Sequence, residues 1–287
     1  MFLSAILPLT PLSPPTARFL GREAHALFLD LIRRAEPALA QALHEPRGDK
    51  PFTVAYLAAR DPSTFDAGRA APGALGEGRG RKGGAAGWLR MTAFEPRLAQ
   101  LLAQTILPTL PREIRLGGAT FAVGAPITDR AAHPWAGTSS AEELVNKWFQ
   151  QEDLAGFGKP VRSDRVTLEF ATPTAHRQIH RNILFPLPAQ MWGGWLRAWN
   201  AFAQPAFEDD LIARVEQEVA LSRYTLKTQI VDFGEFRAAG WVGRATFNYF
   251  SRERALWRVL NLLADFAFFC GTGYKTTQGM GMTRRME

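Results

Sequence analysis

Residues 271–285 read GTGYKTTQGMGMTRR. Glycines at 271, 273, 279 and 281 form a GxG…GxG pair around Tyr-Lys-Thr-Thr-Gln. Glycine takes φ > 0 at little cost and lets backbone N–H groups approach a phosphate closely. Lys275, Arg284 and Arg285 add charge, Thr276, Thr277 and Gln278 add hydrogen-bond donors, and Tyr274 offers a ring that can stack on a base. The stretch is not a P-loop: Gly-Lys-Ser/Thr is missing and no helix is expected to start after it. Nor is it a dinucleotide fingerprint, because a helix rather than a strand precedes it. Its chemistry alone leaves two readings open, an RNA-gripping loop and a flexible tail or tight turn.

Its neighbours bear on that choice. Arg254 to Phe269 reads as a strongly apolar helix, and a last strand is expected from Met280. Upstream, Val166 to Ala171 reads as a strand, 188–203 as a helix with Trp192, Trp195 and Trp199 on one stripe, and 207–220 as a further helical segment. Arg223 to Phe233 and Trp241 to Phe250 read as paired strands. That places the glycine-rich stretch between the last helix and the last strand of a folded unit. The Trp stripe reads as core rather than as a stacking platform.

The first half has the same element order. Residues 2–8 read as a buried strand ended by prolines 8, 11, 14 and 15, and 23–43 as one amphipathic helix. Pro51 to Leu57 and Trp88 to Phe94 read as strands, flanking a glycine-rich basic stretch at 60–87 that contains Arg69, Arg79, Arg81 and Lys82. Pro96 to Ile106 reads as a short helix and Glu113 to Val123 as a strand. The order in each half is β-α-β-β-α-β, the ferredoxin-like pattern. Residues 127–140, rich in Pro, Gly, Ser and Thr, mark a boundary, and a short helix follows over 141–151. The fold class expected is α+β, two tandem ferredoxin-like domains over 1–130 and 131–287.

Bulk properties agree. A chain of 287 residues has room for two domains at roughly 100–200 residues each. Its 34 Lys+Arg against 27 Asp+Glu give a formal charge of +7, which favours a polyanionic partner. With Cys270 alone, no disulfide forms within the chain, and a reducing cytosol fits. The apolar N-terminus lacks a charged leader and is interrupted by prolines, so it does not read as a signal peptide. No apolar run approaches the roughly 20 residues that span a bilayer. The expectation is a cytoplasmic protein with no membrane partner.

A GxGxxxxxGxG loop after an apolar C-terminal helix resembles the CRISPR repeat-processing endoribonucleases of the RAMP superfamily, which cut long CRISPR transcripts into guide RNAs. GREAHALFL (21–29) resembles the start of that family's first helix, and LHEPRGDKPFTV (43–54) its helix-to-strand junction. HPWAGTSSAEEL (133–144) is similar to its interdomain segment. LEFATPT (168–174), FPLP (185–188) and AGWVG (239–243) are similar to parts of its second domain. The resemblance implies two domains close to the RRM architecture. It also implies cleavage of CRISPR precursor RNA (pre-crRNA) within repeats, with no cofactor. The partners it implies are repeat RNA, effector-complex subunits and, as in some relatives, a second copy in a homodimer.

It implies site residues too. RNA carries its own nucleophile, the 2′-OH beside the scissile phosphate, so the protein has only to align it, move protons and steady charge. A histidine near its ordinary pKa does the proton work near neutral pH, and Arg or Lys stabilises the transition state. No metal is needed, and the products are a 2′,3′-cyclic phosphate and a 5′-OH. The family's catalytic histidine commonly sits at the helix-to-strand junction, which matches His44, with a lysine six residues on, Lys50. Some members have an arginine about one helix length upstream, matching Arg22. Others use a tyrosine on the first helix, where this chain reads Phe28-Leu29, so Arg22 and His44 form the expected pair. His25, one turn before Phe28, is expected to be packed and is the reserve. The loop residues expected to touch RNA are Gly271, Gly273, Lys275, Thr276, Gln278, Gly279, Gly281 and Arg284, together with Arg177.

Other constellations are weaker. His176 and His180 are spaced i, i+4, as on one helical face, but the sequence HRQIHR lacks the glutamate of HExxH and no third ligand is near. They read as part of a basic patch with Arg177 and Arg181. His133 reads as structural. Glu208, Asp209 and Asp210 suggest a metal-dependent nuclease, although a solvated helix start accounts for them. The remaining alternative is a non-catalytic RNA-binding RAMP subunit, which needs no histidine at position 44.

Overall fold

The computed structural model describes residues 1–13, 19–45, 48–58, 87–150 and 164–286. The expected glycine-rich segment at 60–87, apart from Gly87, lies outside them, and with it Arg69, Arg79, Arg81 and Lys82.

The chain builds two antiparallel sheets. The first holds β1 (Phe2–Pro11), β2 (Phe52–Ala58), β3 (Gly87–Ala93), β4 (Glu113–Leu116) and β5 (Ala119–Val123), in the order β2-β3-β1-β5-β4. A short strand β6 (Gly137–Ser139) also pairs with β1. Helices α1 (Gly21–Ala35), α2 (Pro37–His44) and α3 (Pro96–Leu101) belong to this half, and α4 (Ala141–Phe149) follows β6. The second sheet holds β7 (Arg165–Thr174), β10 (Val219–Asp232), β11 (Arg237–Tyr249) and β12 (Thr283–Met286), in the order β10-β11-β7-β12. A small hairpin, β8 (His176–Gln178) with β9 (Arg181–Ile183), leads to α5 (Pro188–Phe202) and α6 (Leu211–Glu218), and α7 (Arg254–Cys270) precedes the glycine-rich loop. With the β4–β5 hairpin counted as one strand, each sheet runs fourth-first-third-second. That is the ferredoxin-like arrangement, repeated twice.

β1 reads FLSAIL because both of its faces are buried. Leu3, Ala5 and Leu7 join Ala24, Phe28 and Ile32 of α1 in one cluster. Phe2 and Ile6 join a second cluster that contains α5 and α7. Ring centroids of Phe2 and Phe266 lie 5.3 Å apart, and those of Phe94 and Phe266 5.5 Å. The same cluster contains Phe170 and Phe247 of the second sheet, so α7 belongs to both halves. Trp192, Trp195 and Trp199 are buried in it, as the stripe suggested.

Several boundaries differ from the sequence reading. The single helix expected over 23–43 is two, broken at Glu36–Pro37. Pro37 lacks an N–H and forces Glu36 out of the helical region, to φ −149°, ψ 88°. The segment 113–123 is a hairpin that turns at Gly117 and Gly118, both at positive φ, the backbone a two-residue hairpin requires. β1 runs through Pro8 to Pro11. The Pro8 carbonyl accepts the Gly124 amide where β1 passes from the Ile127 bridge to β5, so its missing N–H leaves no ladder bond unmade. The second hairpin's first strand starts at Val219 rather than 223, and the last strand at Thr283 rather than 280.

Candidate functional site at the outer seam

The glycine-rich loop is folded tightly and is neither a tail nor a simple turn. Its amides are largely committed to the protein: Thr272 N–H donates to Gly281 O (2.8 Å), Tyr274 N–H to Ala175 O (2.7 Å) and Gly281 N–H to Pro173 O (3.1 Å). The loop therefore continues the end of β7. Gly273 (φ +82°) and Gly281 (φ +73°) are required twice over. A Cβ would stand 2.3 Å from Ala175 O at the first and 2.2 Å from Thr272 O at the second. With so many amides spent, side chains dominate the surface the loop offers. Lys275 sits at φ +56°, its Nζ donating to Gln278 Oε1 (2.7 Å) and lying 4.9–5.2 Å from the ring centres of Phe236, Phe233 and Tyr274. Partial burial and the neighbouring Arg22 lower its pKa.

The loop's far end presses on α1. A short turn at Thr276–Gln278 reaches Gly21, where a Cβ would stand 2.0 Å from Gln278 O. The Thr277 carbonyl lies 3.0 Å from His25 Nδ1. Arg22, one turn earlier, bonds Glu235 at 2.9 Å and Phe233 O at 3.5 Å, at the tip of the β10–β11 hairpin. Nothing local along the chain marks Gly21's role, since only the tertiary fold brings a carbonyl there.

Three expected catalytic residues fall along this seam. His44 is the exposed last residue of α2, at the mouth of a shallow depression shared with Leu29, Asp30 and Arg33. Because the helix breaks at Pro37, His44 ends a separate two-turn helix rather than α1. Lys50 Nζ donates to the carbonyl of Glu45, the residue after His44, so the two are drawn together. His25 lies near both. Burial chiefly lowers its pKa, and the charges of His44, Lys275 and Lys50 add to that, against the raising effect of the Thr277 carbonyl. Arg22, Lys275, His25, Lys50 and His44 are thus neighbours along the seam. Of these, Arg22 alone has a carboxylate partner among the described residues.

An open cleft of about 600 Å³ adjoins the loop, lined among others by Lys50, His176, Arg177, Trp195, Lys275 and Thr276. Gly271 and Gly273 border it, whereas Gly279 and Gly281 are buried beneath the loop. Arg177 is exposed, 3.1 Å from Asn182 and 5.9 Å from the Tyr274 ring centre. His176 and His180 do not share a face: His176 is buried in β8 with its pKa lowered to about 4 by burial, and His180 follows Ile179 (φ +51°) in the exposed turn. The i, i+4 spacing lies across a hairpin, not on a helix.

Arg284 turns inward. It bonds Glu169, fully buried, at 2.5 Å and stacks 4.6 Å over Trp135. Arg285 bonds Asp265 and the Asn261 side chain. The buried Arg90 went unremarked in the sequence. It donates to Ser4 Oγ (2.9 Å), Trp135 O (3.2 Å) and Phe268 O. Glu208, Asp209 and Asp210 are exposed ahead of α6. Among the described residues, no three His, Cys, Asp or Glu gather as metal ligands, and no helix is long and apolar enough to cross a membrane.

Residues 168–283 match the family model described as CRISPR-associated endoribonuclease Cas6, and residues 1–146 the CRISPR Cas6 N-terminal domain. Among solved structures, a Thermus thermophilus Cas6 (TTHB231) in a product complex is 27% identical over the whole of both chains, with a TM-score of 0.79. A product complex of a second Cas6 (TTHA0078) is 24% identical over the whole of both chains, with a TM-score of 0.74. A RAMP protein described as binding different RNA substrates is 14% identical over 99% of this chain and all of its own, with a TM-score of 0.57. No curated protein matches. The two sheets, the loop between last helix and last strand, and matches that together span most of the sequence place the chain in the Cas6 family of CRISPR-associated endoribonucleases.

Proposed function

We propose that the chain cleaves CRISPR precursor RNA within its repeats by attack of a 2′-OH on the adjacent phosphate, without a metal ion, giving a 2′,3′-cyclic phosphate and a 5′-OH. The observation that carries this reading is the row of basic groups from Arg22 to His44, poor in carboxylate partners and next to the cleft below the glycine-rich loop. Such a row attracts a phosphate backbone and leaves its charge free for a phosphorane. His44 moves a proton at the reacting oxygens, Arg22 faces the phosphate, and Lys50 steadies the turn behind His44 while adding charge. The cutting residues belong to the unit assigned to 1–130, and the grip to that of 131–287.

Within the grip, Lys275, Thr276, Gln278 and Arg177 supply the side-chain contacts, and Gly271 and Gly273 let RNA come close to the backbone. Gly279 and Gly281 act beneath, by holding the loop's shape. Arg284 contributes by fixing β12 against Glu169. Repeat RNA is the partner; effector subunits and a second copy of the chain remain further candidates, and the cytosol is the expected compartment.

The test is single-turnover cleavage of one repeat RNA in EDTA, with an otherwise identical RNA carrying a 2′-deoxy sugar 5′ to the cut. Cleavage of the first and binding without cleavage of the second is the expected result. Cleavage of both, a requirement for Mg²⁺, or unchanged rates in both His44→Ala and Arg22→Ala would overturn the reading.

A further inference from the structure

We propose that the cleft beside the glycine-rich loop is a pocket for a single unpaired nucleobase of the repeat, seated on the glycines of α5 and read by Gln190. This rests on the reading above and names what the cleft takes. Along one stripe of α5, Ala189, Gln190, Gly193, Gly194, Arg197 and Ala198 border the cleft. Glycine is the poorest helix former after proline, and two adjacent ones in mid-helix weaken α5. The fold requires neither. Both have ordinary negative φ; a Cβ at Gly194 would meet nothing within 4 Å, and one at Gly193 would make ordinary contact with Ile212 at 3.7 Å. What the pair does supply is a strip of bare backbone along the cleft, which a planar ring can approach closely.

A second observation points to a ligand. His176, 5% exposed, borders the same cleft with its ring against Trp241, 5.3 Å between centroids. Its buried Nε2 has no hydrogen-bond partner among the described residues. Buried polar atoms are almost always paired, so an unpaired one at a cleft wall is open to a group from outside the chain. Burial keeps this ring neutral at pH 7, so it offers a hydrogen bond without charge. Gln190, half-buried in the first turn of α5, adds an amide that both donates and accepts, as a base edge requires. The inner wall of Gly193, Gly194, Ala198 and the buried Trp195 carries no charge. The exposed cations Arg177 and Arg197 suit the phosphates on either side of a base. Arg197 also donates to both Asp49 oxygens at 3.1 Å, which ties the turn before β2 to α5 and builds the cleft from both halves. A volume of about 600 Å³ is that of a small-ligand site, and a base enters one only when it is out of the stack. Lys50 and Lys275 belong both to the cleft and to the basic row at the cut, so the base lies within a few nucleotides of the scissile bond.

The experiment measures affinity and single-turnover cleavage for wild type, Gly194→Leu and Gln190→Ala. Each protein meets a set of repeat RNAs in which one nucleotide at a time, over the few on either side of the mapped cut, lacks its base. Thermal melting is measured alongside. Leucine favours a helix, so Gly194→Leu should melt at or above wild type while its side chain fills the seat. In wild type, one abasic position should weaken binding about tenfold, the scale of one stacked base. Gly194→Leu should weaken intact RNA by a similar factor and be indifferent to base removal at that position alone. Gln190→Ala should accept all four bases there, where wild type prefers one by about tenfold. Equal binding and cleavage by wild type and Gly194→Leu would overturn the proposal, and so would losses that multiply at every abasic position. If Gly194→Leu melts below wild type, Gln190→Ala decides, and a wild-type base preference kept at every position sinks the pocket. If wild type binds the repeat without cutting it, the function above fails, whereas the affinities still judge the pocket.

Discussion

The seam between the two sheets has an inner and an outer part, both built from arginines, aromatic rings and carbonyl oxygens. On the inner part Arg90 is 1% exposed and lies between the rings of Trp135 (5.2 Å) and Phe268 (4.5 Å). No carboxylate pairs with it among the described residues. It donates to the Phe268 carbonyl, and its neighbour Thr92 donates to that of Phe269 at 2.8 Å. These carbonyls belong to the last turn of α7, which has no helical partners for them and carries the negative end of the helix dipole. A strand of the first sheet thus caps the helix that launches the glycine-rich loop. Burial lowers the Arg90 pKa only to about 9, so the charge persists at neutrality. On the outer part Arg22, Lys275 and Lys50 keep their charges near solvent, with few counter-charges. Burial and hydrogen bonds to fixed acceptors make a cation a clamp, while exposure and a shortage of partners make it a receptor for a polyanion.

Substitutions on the two sides should separate these roles. The largest effect is expected for His44→Ala, a loss of about 10²–10⁴ in single-turnover cleavage with an unchanged melting temperature. A large drop in stability instead would move His44 into the structural class. Arg90→Ala should do the reverse. It leaves three acceptors buried and opens a cavity, costing about 3 kcal/mol or more in urea unfolding at 25 °C, while the RNA affinity of the folded fraction holds. Gly21→Ala lies between the classes. Its new Cβ meets Gln278 O, so about 1–3 kcal/mol of overpacking should appear together with slower cutting. A stability loss with normal cutting would uncouple loop position from the reaction.

Smaller effects follow. His133 and His176 are both buried, with pKa values lowered to about 4. The unfolded chain binds protons there first, so stability should be complete above about pH 6.5 and fall toward pH 4. The slope should be at most about 1.4 kcal/mol per pH unit for each histidine. Replacing both by Asn should flatten that decline in urea titrations across pH. Lys275→Met keeps the volume within its three rings and removes the charge. It should weaken RNA binding and reduce the dependence of log affinity on log salt by about one. An unchanged salt slope would return Lys275 to the clamp class.

The element order was readable because it rests on local physics. Periodic apolar residues, paired β-rich runs and glycine punctuation give βαββαβ twice, and the final loop falls where that order demands. His44 and Lys50 were expected as a pair only through the family resemblance, which implies a lysine six residues after the histidine. Pro37 was visible too, but the apolar period runs through it in sequence, and only the Glu36 dihedral shows the break. Arg90 and Arg284 illustrate the limit. An arginine in a sequence reads as surface charge, and nothing local tells that Arg284 will meet Glu169, 115 residues away, or Arg90 the carbonyl of Phe268, 178 residues away.

The sequence by itself determined two repeated α+β units, a glycine-rich segment between the last helix and last strand, a basic balance and a histidine at a helix end. Those properties depend on neighbours along the chain. The tertiary structure decided which cations stay near solvent and which lock the seam, that the loop spends its amides on the end of β7 and extends its turn to α1, and that His25 meets Thr277. Most of these depend on a partner far away along the chain, 252 residues for His25 and Thr277, and the desolvation that sets a side chain's charge and freedom exists only once that partner has arrived.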